Sequence, residues 1–341
     1  AHALYDVLLE DIVDQHEEVS RMIIVPDDFL AQLNFGTLLC REGDPANVDY
    51  MSLDFLARRF QVSYVYSTYF LREKRVAPRP FDDLFAGFAP SYRQAAYAEI
   101  DTLSHPMVYV AVRDGILPLP GARDEVSRIS DLMGGRTWLD LVATETNFKT
   151  HAENYGILHL AMHSLLNNEN PDYSELLFNP ELDELNDGYL NIAEIYNLKL
   201  NAQLVVLSAC SSGYGKIQKG EGPISISRAF SYAGCPSVVM SLWKIPDAVT
   251  SEIMTNFYLG LNEGLRKDEA LRQAQMKFIN EVEDPIYRHP YFWAGFVVMG
   301  DTAPLPSSSF SWLIYGTLLG LSVLATILFV RKRRKNQYSA S

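Results

Sequence analysis

The feature that most narrows the fold is a series of short, nearly continuous apolar runs: "RMIIVP" (21–26), "FQVSYVYS" (60–67), "MVYVAVR" (107–113), "GILHLAMH" (156–163), "AQLVVLSA" (202–209), "PSVVMSLW" (236–243) and "AGFVVMG" (294–300). A strand with one face in water alternates apolar and polar residues. A strand covered on both faces does not, and that continuous pattern belongs to parallel sheets. Between the runs, apolar residues recur at helical spacing. "PISISRAFSYAG" opens on Pro223 and closes on Gly234, while "DAVTSEIMTNFYLGLNEG" and "KDEALRQAQMKFINEV" are amphipathic. Alternating β and α units predict an α/β sandwich, with helices on both faces of a mainly parallel sheet. Sheets of this kind place their sites at the carboxyl ends of the strands.

Two chemistry-bearing residues stand at such ends. His163 closes one run, and Cys210 follows the next long one. A cysteine attacks as thiolate, and a neighbouring imidazole can take its proton or pair with it as imidazolium. The small residues Ala209, Ser211, Ser212 and Gly213 let the backbone turn and leave the Cys210 N–H available to an oxyanion. Ser164, directly after His163, is the candidate for the second N–H donor. The competing reading is a core histidine and a core cysteine, since free cysteine is among the most buried residue types; Cys40 and Cys235 are expected to be of that kind. His159 shares a strand face with His163 and lies deeper, so it is expected to pack or support. No metal site is predicted, because no third ligand accompanies the two histidines and HExxH is absent.

The chain has 341 residues and a net charge of −13, which excludes a nucleic-acid binder that relies on a basic field. Five basic residues nevertheless cluster at 331–335, and residues 331–341 hold no acid. Just before them, residues 310–330 read FSWLIYGTLLGLSVLATILFV without a charge. At about 1.5 Å per residue, such a helix spans roughly the 30 Å hydrocarbon core of a bilayer. Trp312 and Tyr315 near one end and the basic cluster at the other fit interfacial anchors. The expected organisation is an N-terminal helix over 1–20 that ends a longer upstream region, a globular domain over 21–302, a linker over 303–309, a transmembrane helix over 310–330 and a basic tail over 331–341. The positive-inside rule puts the tail in the cytoplasm and the body on the other side of a membrane crossed once.

The runs, in order, resemble the CHAT family of caspase-like cysteine peptidases, which are often fused to tetratricopeptide repeats. The resemblance rests on "IIVPDDFLAQLNFGTLL", "DGILPLPGARDEV", "ATETNFK", "ILHLAMHS", "DGYLNIAEIYNLKLNAQLVVLSACSSGYGK", "KGEGPISISRAFSYAGCPSVVMSLWKIPD", "GLRKDEALRQAQ" and "HPYFWAGFVVMGD". It implies a caspase-like α/β/α sandwich and hydrolysis of peptide bonds in protein substrates by a dyad of His163 and Cys210. The route is thiolate attack, a thioester and then water, with no cofactor. Ser164 stands where the family more often has Gly or Ala, which changes a side chain but keeps the N–H. "SLWKIPD" (241–247) is similar to the separase stretch that lines the pocket for the residue before the cut. By that analogy Trp243 and Asp247 are substrate-binding candidates, with Asp247 receiving a basic side chain. Asp247 reads equally as a helix cap. The acid-rich loop 167–188 either favours a basic substrate or is an ordinary solvated loop.

Three functions follow. The first is a membrane-anchored cysteine endopeptidase, regulated by an upstream repeat region or partner. The second is a catalytically quiet interaction domain in a signalling assembly. The third, a thiol acyltransferase, lacks any marked coenzyme or acyl-chain site.

Overall fold

The computed structural model describes residues 1–16, 18–44, 46, 48–71, 83–92, 118–165, 173–208, 216–218, 222–224 and 226–306. In chain order its strands are β1 (Arg21–Ile24), β2 (Gln61–Tyr64), β3 (Asp83–Pro90), β4 (Arg136–Asp140), β5 (Tyr155–Leu160), β6 (Ser164–Leu165), β7 (Glu175–Leu177), β8 (Tyr189–Asn191), β9 (Leu204–Leu207), β10 (Lys216–Gln218), β11 (Gly222–Ile224), β12 (Ser237–Ser241) and β13 (Phe296–Gly300). Its helices are α1 (2–14, with a π turn at its centre), α2 (Leu56–Arg59), α3 (Pro120–Met133), α4 (Glu145–His151), α5 (Ile192–Tyr196), α6 (Ile226–Tyr232), α7 (Asp247–Asn262), α8 (Lys267–Glu281) and α9 (Pro290–Trp293). The apolar run 107–113 and the span 310–330 lie outside the described residues. Among the described residues no helix is long and apolar enough to cross a membrane.

Eight strands form the main sheet in the order β1-β2-β13-β12-β9-β5-β3-β4. Every neighbouring pair is parallel except β12 with β13. The three central strands β12, β9 and β5 are buried at every residue, which is why their sequences do not alternate. Side chains still point alternately to the two faces. Leu158, Leu160, Val205, Leu207, Val238 and Met240 join a core closed by Phe148 of α4, Ile195 of α5 and Phe230 of α6. Tyr5, Leu9 and Val13, spaced four apart on α1, bury against the same core. The opposite face is covered by α3, α7 and α8. A Cβ on Gly87 of β3 would come within 2.5 Å of Val126 of α3. The Phe85 ring meets Tyr258 of α7 edge-on, and Gln275 of α8 donates to Phe296 O at 3.0 Å.

The α3–α7 face contains the one polar residue of β5. His159 is fully buried, and an imidazole left unpartnered there would carry the full cost of lost hydration. Both ring nitrogens are partnered: Nε2 lies 2.8 Å from Glu125 Oε1 of α3, and Nδ1 lies 3.0 Å from Tyr258 Oη of α7. Burial, and then the neighbouring Glu125, push the Tyr258 hydroxyl well above its ordinary value. It therefore stays protonated and available to donate. This network ties two helices to the strand that leads into His163, which is the supporting role expected for His159.

"HPYFW" near the C-terminal end of the domain divides between core and surface. Trp293 is buried and Tyr291 exposed, so only part of that aromatic run packs inside.

Removing one member of a buried hydrogen-bonded pair strands the other. His159→Ala is therefore expected to lower stability by about 3–5 kcal/mol, measured from urea unfolding midpoints. A loss below about 1 kcal/mol, the usual net worth of one hydrogen bond, would mean that the triad does not hold the two helices to the sheet.

Candidate active site

β5 and β9 lie side by side and run in parallel, with Leu160 opposite Leu207. Beyond them the pairing continues one step: Ser208 N–H donates to Leu160 O at 3.0 Å, and Ala161 N–H donates to Phe88 O at 2.9 Å. His163 lies three residues after Leu160, and Cys210 lies three residues after Leu207. Cys210 is outside the described residues; His163 is within them and half-buried.

Three backbone and ring contacts fix the position of His163. Its carbonyl accepts from Leu177 N–H at 3.0 Å. Its own N–H donates to the Tyr92 hydroxyl at 2.9 Å, and its imidazole lies against the Tyr92 ring with centroids 4.7 Å apart. Ser164 then enters β6 opposite Leu176. His163 and Leu177 face each other as a hydrogen-bonding pair, so Ser164 and Leu176 form the next, non-bonding pair. The Ser164 N–H is therefore directed away from β7, an orientation compatible with an oxyanion donor.

Asp247 is the first residue of α7, and Pro246 occupies the cap position. The carboxylate thus starts the helix rather than capping it from outside. It lines a small cavity with Glu125, Ala161, Ser208, Ser241 and Thr250. Ala161 and Ser208 sit one residue beyond β5 and β9, and Ser241 ends β12, so the cavity opens at the carboxyl edge of the sheet. The Ser208 hydroxyl is buried there without a hydrogen-bond partner among the described residues. Helix α3 reaches this point through Gly121, where a Cβ would lie 2.9 Å from Asp247 Cβ. Trp243 does not line the cavity. It packs against the main core and donates from Nε1 to Tyr291 O at 2.7 Å.

The remaining acids and thiols are mostly structural. Glu169 and Asp172 fall outside the described residues. Glu175 is buried in β7. Asp187 accepts from Tyr189 N–H, and Asp183 accepts from Thr146 at the start of α4 and from Leu185 and Asn186 N–H. Burial alone raises the Asp183 carboxyl, but these hydrogen bonds outweigh it and hold the group below its ordinary range. Among the described acids of the loop, Glu175 is buried and Asp183 half-buried, whereas Glu181, Glu184 and Asp187 are exposed. Burial pushes the Cys235 thiol up to about 12, and it also raises the half-buried Cys40. Neither forms a thiolate readily at neutral pH.

Three participants were not anticipated from sequence: Tyr92, Glu125 and Tyr258. Glu125 had a readable signal. Ala122, Glu125, Val126 and Ile129 form one buried stripe of α3, and an acid at a stripe position demands a partner. Tyr92 had none, because nothing in its local spacing points to His163.

The CHAT domain family model matches residues 1–301. Human tetratricopeptide repeat protein 28 is 29% identical over 240 residues, which are 61% of this chain and 10% of that protein. The mouse protein of the same name is 28% identical over the same length. The chain spans about a tenth of the length of these curated relatives. Among solved structures, the Arg-specific cysteine proteinase gingipain R aligns at TM-score 0.53 and 11% identity, covering 89% of this chain and 69% of its own. The complex of the Porphyromonas gingivalis enzyme's pro- and mature domains aligns at TM-score 0.51 and 11% identity, with 87% and 69% covered. These likenesses establish a shared mixed α/β fold with a mainly parallel sheet.

The depressed Asp183 carboxyl has a signed consequence. Its contribution to stability is fully present above the ordinary carboxyl value and is lost as pH falls through the depressed one. The protection of the Leu185 and Asn186 amides, their exchange relative to an unstructured amide at the same pH, is expected to fall over that acidic range. Asp183→Ala is expected to show the low protection already at neutral pH; unchanged protection in that variant would contradict the assignment.

Proposed function

The chain belongs to the CHAT domain family, and from that premise we propose that it is a cysteine endopeptidase tethered to a membrane by residues 310–330. In this reading His163 takes the proton of the Cys210 thiol. The sulfur attacks the scissile carbonyl carbon, and the resulting oxyanion accepts from the backbone N–H groups of Ser164 and Cys210. Collapse breaks the C–N bond as His163 delivers its proton to the leaving amine. Water, deprotonated by His163, then hydrolyses the thioester and releases the acid and the free thiol.

The observation that carries the reading is the β5–β9 register. Two adjacent parallel strands, paired Leu160 to Leu207, lead by equal three-residue steps to the candidate base and the candidate nucleophile. The acidic cavity at the same edge, with Asp247 and Glu125 on its wall, favours a basic side chain before the cut. The curated relatives, named for tetratricopeptide repeats, support a second reading in which the domain docks partners and does not cleave. They also support an upstream repeat region as recruiter or regulator.

The full chain, Cys210→Ala, His163→Ala and Asp247→Asn are to be treated with an arginine chloromethyl ketone and weighed intact. A covalent adduct is expected on wild type. It should be absent from Cys210→Ala and slowed on the order of 10²-fold or more in His163→Ala. Adducts with leucine but not arginine probes would keep the peptidase and discard the basic pocket. A folded protein inert to every probe would favour the interaction domain. Separately, the full chain is expected to resist carbonate extraction from membranes, and deletion of 310–330 is expected to release it; equal extraction of both would remove the anchor.

A further inference from the structure

The Tyr92 hydroxyl occupies a place where a backbone hydrogen bond ordinarily runs. Ser164 pairs with Leu176 and Leu165 with Glu175, so His163 and Leu177 stand directly opposite each other. Such a pair in an antiparallel ladder exchanges two bonds. One is present, from Leu177 N–H to His163 O. The other is interrupted: His163 N–H donates to Tyr92 Oη at 2.9 Å, and that hydroxyl donates onward to Leu177 O at 2.8 Å. The phenol is spliced into the ladder. One side of the pair is held by a direct hydrogen bond while the other is bridged by an intervening oxygen.

The same residue touches the imidazole. The two rings are 4.7 Å apart at an interplanar angle of 54°, within the range of aromatic pair contacts. Tyr92 is itself buried and lies two residues past β3, the strand that neighbours β5. Since it donates to one backbone group and accepts from another, the hydroxyl cannot swing away without leaving a buried carbonyl and a part-buried N–H to find other partners.

We propose that Tyr92 is a positioning residue for His163, setting the backbone through its hydroxyl and the imidazole plane through its ring. The proposal rests on the peptidase reading only for its consequence, which is the rate at which His163 activates Cys210. The orientation of His163 is testable without it.

The test uses the full chain as wild type, Tyr92→Phe, Tyr92→Leu and His163→Ala. Alkylation of Cys210 by iodoacetamide is followed across pH by peptide mapping, and the His163 ring and amide by spectra of histidine-labelled protein. Tyr92→Phe is expected to fold, to shift and broaden the His163 signals, and to slow Cys210 alkylation on the order of tenfold at neutral pH. Tyr92→Leu is expected to move the alkylation–pH profile nearly onto that of His163→Ala. Folded variants with unchanged His163 signals and unchanged profiles would overturn the proposal. If His163→Ala alkylates like wild type at every pH, the peptidase reading fails, and the His163 signals alone decide for or against Tyr92. If Tyr92→Phe folds poorly, fluorotyrosine placed at position 92 keeps the bulk and alters only the hydroxyl. It should shift the His163 amide, and no shift would overturn the proposal.

Discussion

The pairing of β5 with β9 is the constraint on which the rest depends. Both strands are covered on both faces, so each must present apolar side chains upward and downward, and neither can slip by one residue without driving His159 into the opposite core. His159 makes that register specific. Its two nitrogens meet Glu125 and Tyr258 on one face only, whereas the other face offers Phe148, Ile195 and Phe230. A polar residue in the middle of a buried strand thus acts as a registration pin, fixing how far β5 projects beyond the sheet and where His163 emerges.

The helices on the His159 face extend this logic to the cavity lined by Asp247. Glu125 belongs to α3 and Tyr258 to α7. The N-terminal ends of the same helices meet where Gly121 abuts Asp247. The pin that sets the height of His163 therefore also sets the wall of the acidic cavity. On the opposite side of the strand end, Tyr92 and the small β6–β7–β8 sheet hold His163 from β3 and β7. One set of contacts fixes the strand that leads to His163 and the other holds His163 itself, the kind of support that the proposed role as a base requires.

Much of this was legible in the sequence, for identifiable reasons. The central strands and the long helices α7 and α8 announced themselves because full burial and helical periodicity leave strong patterns. β3 did not. "DLFAGFAP" is rich in small residues because α3 packs closely over it, and Gly87 has no room for a side chain; smallness required by packing weakens the apolar signal that reveals a strand. β4 is an edge strand bearing Arg136 and Asp140 and reads as a polar turn. The antiparallel direction of β13 was invisible, since a strand buried on both faces looks alike in either sense. At the site, His163 and Asp247 stood out by residue type and position. Tyr92 could not, because it meets His163 only where the chain just past β3 lies against the end of β5, a relation carried by tertiary structure alone. Trp243, taken with Asp247 from a shared stretch, packs half-buried beside Tyr291 and lies off the cavity that Asp247 lines.

The central claim is that His163 holds Cys210 as a thiolate. The most direct measurement is the ultraviolet absorbance of the thiolate across pH, taken as the difference between the full chain and its Cys210→Ala variant, with and without His163. The account predicts a thiolate signal at neutral pH that depends on His163 and retreats to the alkaline range of an ordinary thiol when the histidine becomes alanine. A Cys210 that titrates as an ordinary thiol whether or not His163 is present would contradict it.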